Sequence, residues 1–166
     1  MTKICSLKKY GFKNIGMIQQ LLKQGLPSIP ELNSCGVYAI SIPNKYTVKY
    51  LLPEMVSEKK NVVNPWSKED LEDKWVDNAE IICYAFTNRI LMKRLKELLK
   101  HGLGKTTDKG PHRGEEIMWQ LQDYEQFSIW ILPTWNASEP RDRKNYFLKE
   151  FRKVTGKFPF ANRRLS

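Results

Sequence analysis

The chain has 166 residues, a net charge of +10, and 41% hydrophobic side chains that include five Trp, seven Tyr and seven Phe. This describes one folded domain with its own core, not a disordered tail. No apolar run approaches the roughly eighteen residues of a membrane span, and "MTKICSLKKYGFKN" lacks the apolar stretch of a secretory signal. Cys5, Cys35 and Cys83 are an odd set without C-x-x-C spacing, which argues against a disulfide framework or zinc site and fits a reducing, cytoplasmic setting.

In chain order, "FKNIGMIQQLLKQGLPSIPEL" predicts a short helix over 14–24, with Asn14 as N-cap and Gly25 and Pro27 as stops. "CGVYAISI" (35–42) is a β-branched and aromatic run between turn residues, a strand. Residues 43–66 give little pattern beyond an extended piece at "KYTVKYLL". "SKEDLEDKW" carries an S-x-x-D capping signature at Ser67 and predicts a short acidic helix. "AEIICYAF" (79–86) is the next strand, and Thr87 or Asn88 caps the helix behind it, which ends at His101-Gly102. On that helix Leu91, Leu95, Leu98 and Leu99 form the apolar stripe, with Arg94 at its edge.

"GLGKTTDKGPHRGEE" (102–116) is a basic loop whose "GKT" does not make a phosphate loop, since the required earlier glycine is Leu99. "EEIMWQLQDY" supplies a helical turn or two, "QFSIWIL" (126–132) a third strand, and 141–154 a last helix before "GKFPFANRR". Together these give a small sheet with helices packed on it in two layers. Charge is uneven along the chain. Residues 54–80 hold eight acids against four bases, 87–113 eight bases against two acids, and 141–166 nine bases against two acids. Two basic segments on one compact domain fit an electrostatic footprint for phosphate backbones, which points to a nucleic acid as partner.

"GVY" at 36–38, "YAF" at 84–86, Arg94 ten residues after Tyr84, and Asn162 near the end resemble the GIY-YIG nucleases. "DKWVDNAEI", "HRGEEIMWQL" and "GKFPFANRR" are similar to segments of a bacterial subset of that family, so the likeness spans about residues 33–164. The resemblance implies an αβ (α+β) domain, residues 33–166, around a central three-stranded antiparallel sheet flanked by helices, with residues 1–32 as a helical extension packed on it. It implies DNA cleavage with one divalent metal, Mg²⁺ or Mn²⁺. Tyr38 acts on or beside the attacking water, Tyr84 belongs to the second motif, and Arg94 holds the scissile phosphate. A lone hard cation with oxygen ligands suits that chemistry, and a guanidinium suits a two-point grip on phosphate. Lys93, His112, Arg113, Lys144 and Asn162 are the DNA-contact candidates.

The sequence departs from the family pattern at four places. The glycine of the second motif is Phe86, the following position is Thr87, and the residue one turn after Arg94 is Leu98. The fourth is the last helix, where the metal-binding Glu of the family is Lys144 in the frame Lys144, Phe147, Leu148, Phe151. Those positions follow i, i+3, i+4, i+7 and share one face, while Glu150 falls on the far side. An ammonium repels a cation and takes its place as a point charge on phosphate. No metal ligand is therefore assigned, and the expected function is a DNA-binding, nuclease-like protein with weak or lost hydrolysis. Two alternatives stay open. One is a working endonuclease with its carboxylate from Glu115, Glu116, Glu139 or Asp142. The other is a protein-interaction module on the same fold. Tyr38 and Tyr84 as plain strand aromatics, Asn162 as a cap, and Trp119, Trp130 and Trp135 as core or stacking residues are the structural counterparts of these assignments.

Overall fold

The structure is a computed structural model describing residues 1–56, 62, 64–102 and 115–165. In chain order its elements are α1 (Ile4–Lys9), β1 (Lys13–Met17), α2 (Ile18–Gln24), β2 (Gly36–Ser41), α3 (Pro53–Val56), α4 (Lys68–Lys74), β3 (Ile81–Thr87), α5 (Leu91–Gly102), β4 (Ser128–Pro133) and α6 (Pro140–Thr155). The strands form one antiparallel sheet in the order β1-β4-β2-β3. The class is thus mixed α/β, with four strands and six α-helices among the described residues.

β2 is buried at every position and β3 at all but Phe86. Strands this apolar on both faces need cover on two sides, and they have it, in three layers where the sequence pattern predicts two. Tyr38, Ile40, Ile129 and Ile131 face α5 through Leu91, Leu95 and Leu98. Val37, Ala39, Tyr84 and Trp130 face α6 through Phe147, Leu148 and Phe151. Each buried Leu or Phe contributes about 1.5–3 kcal/mol of transfer free energy, so these two stripes fix how both helices lie.

The expected three-stranded sheet gains its fourth member from the segment expected as the start of a helix. Residues 13–17 pair with β4 at the sheet edge, and the helix begins only at Ile18. Asn14 does not cap it. The Asn14 carboxamide oxygen instead accepts the N–H of Gly16 (2.8 Å) at an irregularity in the β1–β4 register. β1 is only partly buried, so it lacks the period-two alternation that marks a strand. α1 buries only Leu7 and left no stripe to read. The segment at 45–52 contributes a single bridge, Tyr50 to Leu121, rather than a strand.

Elsewhere local chemistry does what its residues require. The Ser67 hydroxyl accepts the Asp70 N–H (3.2 Å) and starts α4. Thr87 does not cap α5; its hydroxyl accepts the Arg89 N–H (3.1 Å) and shapes the turn ahead of the helix. Gly156 ends α6 in a left-handed conformation (φ 78°) that costs glycine no Cβ clash. Gly36 has a different reason: a Cβ there would run into the Leu132 carbonyl oxygen on β4, so only glycine lets β2 approach this closely.

Candidate functional site

The Leu91 N–H donates to the Ser34 carbonyl (2.8 Å), which ties the start of α5 to the residues entering β2. One helical turn later Arg94 lies over the sheet. Its Nε–H donates to the Tyr38 hydroxyl at 3.1 Å, with the guanidinium carbon 6.0 Å from that ring's centre. Both residues are buried, Arg94 at 7% exposure and Tyr38 at zero. The structure therefore brings together the first-motif Tyr and the helix Arg. The ten-residue step from Tyr84 to Arg94 measures the turn that carries the chain from β3 onto the Tyr38 face.

Tyr84 is not part of that pair. Tyr38 stands opposite Ala85 and Ala39 opposite Tyr84, so the two tyrosines point to opposite faces of the sheet. The Tyr84 ring stacks on Phe147 (5.4 Å between centres), and its hydroxyl donates to the Met1 carbonyl (2.9 Å). Burial, with Tyr10 nearby, pushes its phenol well above the usual range. It stays protonated and links the N-terminus to the α6 layer.

Asn162 lies beside β3, with its amide committed at both ends. Its side-chain oxygen accepts the Tyr84 N–H (2.9 Å), and its NH₂ donates to the Tyr84 carbonyl (2.7 Å). The Ala161 N–H donates to the Ile82 carbonyl (2.8 Å). The "PFAN" segment thus closes the outer edge of the sheet, where exposed backbone groups would otherwise invite another strand.

Lys144 behaves as its helical frame requires. It is 5% exposed, with Phe147, Leu148 and Phe151 fully buried on the same face, while Glu150 pairs with Lys153 (2.7 Å) away from it. The Lys144 ammonium lies 5.1 Å above the ring centre of Phe86, and the Arg141 guanidinium lies 5.8 Å from the same ring. Two departures from the family pattern, Phe86 for glycine and Lys144 for glutamate, therefore meet in space. A ring face attracts cations and repels carboxylates. This donor set does not fit a divalent metal.

The remaining candidates divide. Lys93 is exposed on α5. His112 and Arg113 lie outside the described residues, as does the Glu115 side chain. Glu139 pairs with Arg143 (3.8 Å), and Asp142 is exposed in the first turn of α6. Among the described residues no three His, Cys, Asp or Glu side chains gather where a metal could be held. Trp119 and Trp130 are core residues, and the Trp130 indole N–H donates to the Ser41 hydroxyl (2.9 Å). Trp135 is 65% exposed in a left-handed conformation (φ 58°), with its N–H held by the Ser34 hydroxyl (2.9 Å).

These placements converge on one end of the sheet. Arg94 reaches it on the α5 face beside Tyr38, and Arg141 and Lys144 reach it on the α6 face over Phe86, near the C-terminal end of β3. Sequence reasoning found Arg94, Tyr38 and Lys144 but missed Arg141, whose signal was its place three residues ahead of Lys144 on the same helix. In comparison with known proteins, no family model matches the chain, no curated protein matches it, and no solved structure matches it.

Proposed function

We propose that this protein binds DNA through phosphate contacts at the C-terminal end of β3, as a GIY-YIG-type nuclease-like protein whose phosphodiester hydrolysis is weak or lost. The observation that carries this is the juxtaposition of Phe86 and Lys144, an ammonium over a ring where the resembled family keeps a small residue and a metal-binding carboxylate. The buried Arg94–Tyr38 pair supports the phosphate-binding half. A guanidinium held at Nε by a phenol has its planar fork fixed, and a fixed fork loses little freedom on gripping phosphate. Lys144 and Arg141 add charge at the same end of the sheet without supplying any group that orients an attacking water.

The test incubates the protein with supercoiled plasmid and branched oligonucleotides in Mg²⁺ and in Mn²⁺, with affinity measured in parallel against salt. The expected wild-type result is binding that weakens steeply with salt and no nicking, with Arg94→Ala weakening the binding. The double variant Lys144→Glu with Phe86→Gly is expected to gain metal-dependent nicking that neither single variant shows. Cleavage by the wild type that disappears in Arg94→Ala would overturn the loss of hydrolysis. An affinity indifferent to salt would overturn DNA binding itself.

A further inference from the structure

Building on the DNA-binding function above, we propose that a pocket bounded by Lys74, Arg152, Lys157 and Arg163 is a second phosphate site, taking a backbone phosphodiester beside the one gripped at the Arg94 end. The pocket encloses about 240 Å³ along the outer edge of β3, between the C-terminal end of α4, the C-terminal end of α6 and the segment that follows it. At about 30 Å³ per water it has room for a phosphate group with several waters of its shell. Among the described residues that line it, Asp73 is the one carboxylate.

These four cations, gathered in one pocket, are held differently from the paired ones elsewhere on the surface. Arg89 is paired with Glu97 at 2.7 Å, Lys153 with Glu150 at 2.7 Å and Arg143 with Glu139 at 3.8 Å. No such ion pair to a carboxylate involves Lys74, Arg152, Lys157 or Arg163 among the described residues. Their supports are rings and carbonyls. Arg163 lies 4.9 Å and Lys74 5.8 Å from the ring centre of Trp66, and Arg152 lies 5.0 Å from that of Phe158. The Lys74 ammonium donates to the Asn162 carbonyl (3.0 Å), and that of Lys157 to the Asp73 carbonyl (2.6 Å). Rings and carbonyls position a cation without neutralising it, so the cluster keeps a charge that an anion would answer.

The platform is also fixed in advance. Gln120 is fully buried; its side-chain oxygen accepts the Trp66 N–H (2.7 Å) and its NH₂ donates to the Trp66 carbonyl (3.0 Å). Burial, and then the Arg163 guanidinium beside it, hold the Lys74 amine below its usual range, with Asp73 opposing. A bound anion relieves that crowding. The Asn162 and Ala161 contacts set the pocket beside Ile82 to Tyr84, two to four residues from Phe86. At about 3.3 Å per residue that is roughly 7–13 Å, a span that phosphates close together on one duplex strand can bridge.

The experiment uses the full chain, with Arg163→Gln and Arg152→Gln as separate variants and Arg94→Ala as the control for the first site. Duplex affinity is followed by anisotropy over a salt series, and inorganic phosphate is titrated against the Trp66 indole N–H signal. Each pocket variant is expected to lower affinity several-fold and to flatten the salt slope by about 0.9, one phosphate's share on B-DNA. Inorganic phosphate is expected to move the Trp66 signal in the wild type and in Arg94→Ala, and to move it less in Arg163→Gln. Unchanged slopes in both pocket variants, beside a flattened slope in Arg94→Ala, would overturn the second site and leave DNA binding standing. A Trp66 signal moved by phosphate in a protein without duplex affinity would overturn the phosphodiester assignment along with the DNA-binding function.

Discussion

The contact between Lys144 and Phe86 is measurable on its own, apart from any DNA. With Lys144 at 5% exposure the ammonium is nearly desolvated, which puts a cation–π contact toward the upper part of its range, about 2 kcal/mol. Lys144→Met keeps most of the buried stem and removes the charge, and Phe86→Leu keeps apolar bulk and removes the ring face. A double-mutant cycle on these two changes, read by urea denaturation, is expected to give a coupling of about 1–2 kcal/mol. Arg141 shares the ring at 5.8 Å but is exposed, so repeating the cycle in an Arg141→Gln background is expected to change the coupling by only about 0.5 kcal/mol. Lys144→Glu alone is a different perturbation, because it sets a carboxylate against a ring face in a buried site. Its cost is expected to reach about 3–5 kcal/mol, and to shrink when Phe86 is also Gly. A coupling below about 0.3 kcal/mol, within the noise of additive sites, would refute the pairing and with it the claim that these two departures depend on each other.

Four further outcomes follow from the geometry. Asn162→Ala leaves the Tyr84 N–H and C=O without their side-chain partner and is expected to cost about 2–4 kcal/mol in urea denaturation; a change below 0.5 kcal/mol on the order-of-magnitude scale of a surface substitution would mean that water replaces the amide. Gly36→Ala drives a Cβ into the Leu132 carbonyl and is expected to cost about 1–3 kcal/mol, whereas Gly25→Ala, with nothing within 4 Å of its added Cβ but a φ of 79°, isolates the backbone term alone. Burial, with Glu72 and Asp77 nearby, pushes the Tyr50 phenol up to about 12, above its ordinary 10.0. The folded state therefore holds that proton longer than the unfolded one, so stability is intact below pH 10 and is lost as pH rises through about 12. Alkaline denaturation should show this loss, and Tyr50→Phe should flatten it. Exposed Trp135 reports on bases near the Arg94 end: single-stranded DNA is expected to quench its fluorescence, and Trp135→Ala to weaken that binding by about 1–3 kcal/mol, with unaltered affinity counting against a stacking role.

What the sequence revealed and what it hid have physical causes that can be located residue by residue. α5 and α6 were legible because four leucines and the Phe147, Leu148, Phe151 set repeat at helical spacing around a single edge cation, Arg94 in one case and Lys144 in the other. That spacing alone fixes which way each cation leans. β1 was hidden because an edge strand that is only partly buried needs no alternation, and its side chains Ile15 and Met17 run on into Ile18 and Leu21 as though one helix held them all. Tyr84 shows a deeper limit. A strand's two faces are told apart by counting from a fixed register, and nothing within β2 or β3 says that Tyr38 will stand opposite Ala85 and Tyr84 opposite Ala39. Asn162 adds another: nothing in "PFAN" says that its amide will complete a ladder with a residue 78 positions earlier. The same limit applies to the candidate site as a whole. The motif spacing names Tyr38, Tyr84, Arg94, Lys144 and Asn162 as a group, but the sheet sorts them. Tyr38 and Arg94 lie on one face, Tyr84 and Lys144 pack with the other, and Asn162 lies on the edge between them. Lys144 and Arg141 act together at Phe86 on the α6 face, while Arg94 acts beside Tyr38 on the α5 face. That is why the ring, and not either tyrosine, is the residue on which the proposed chemistry turns.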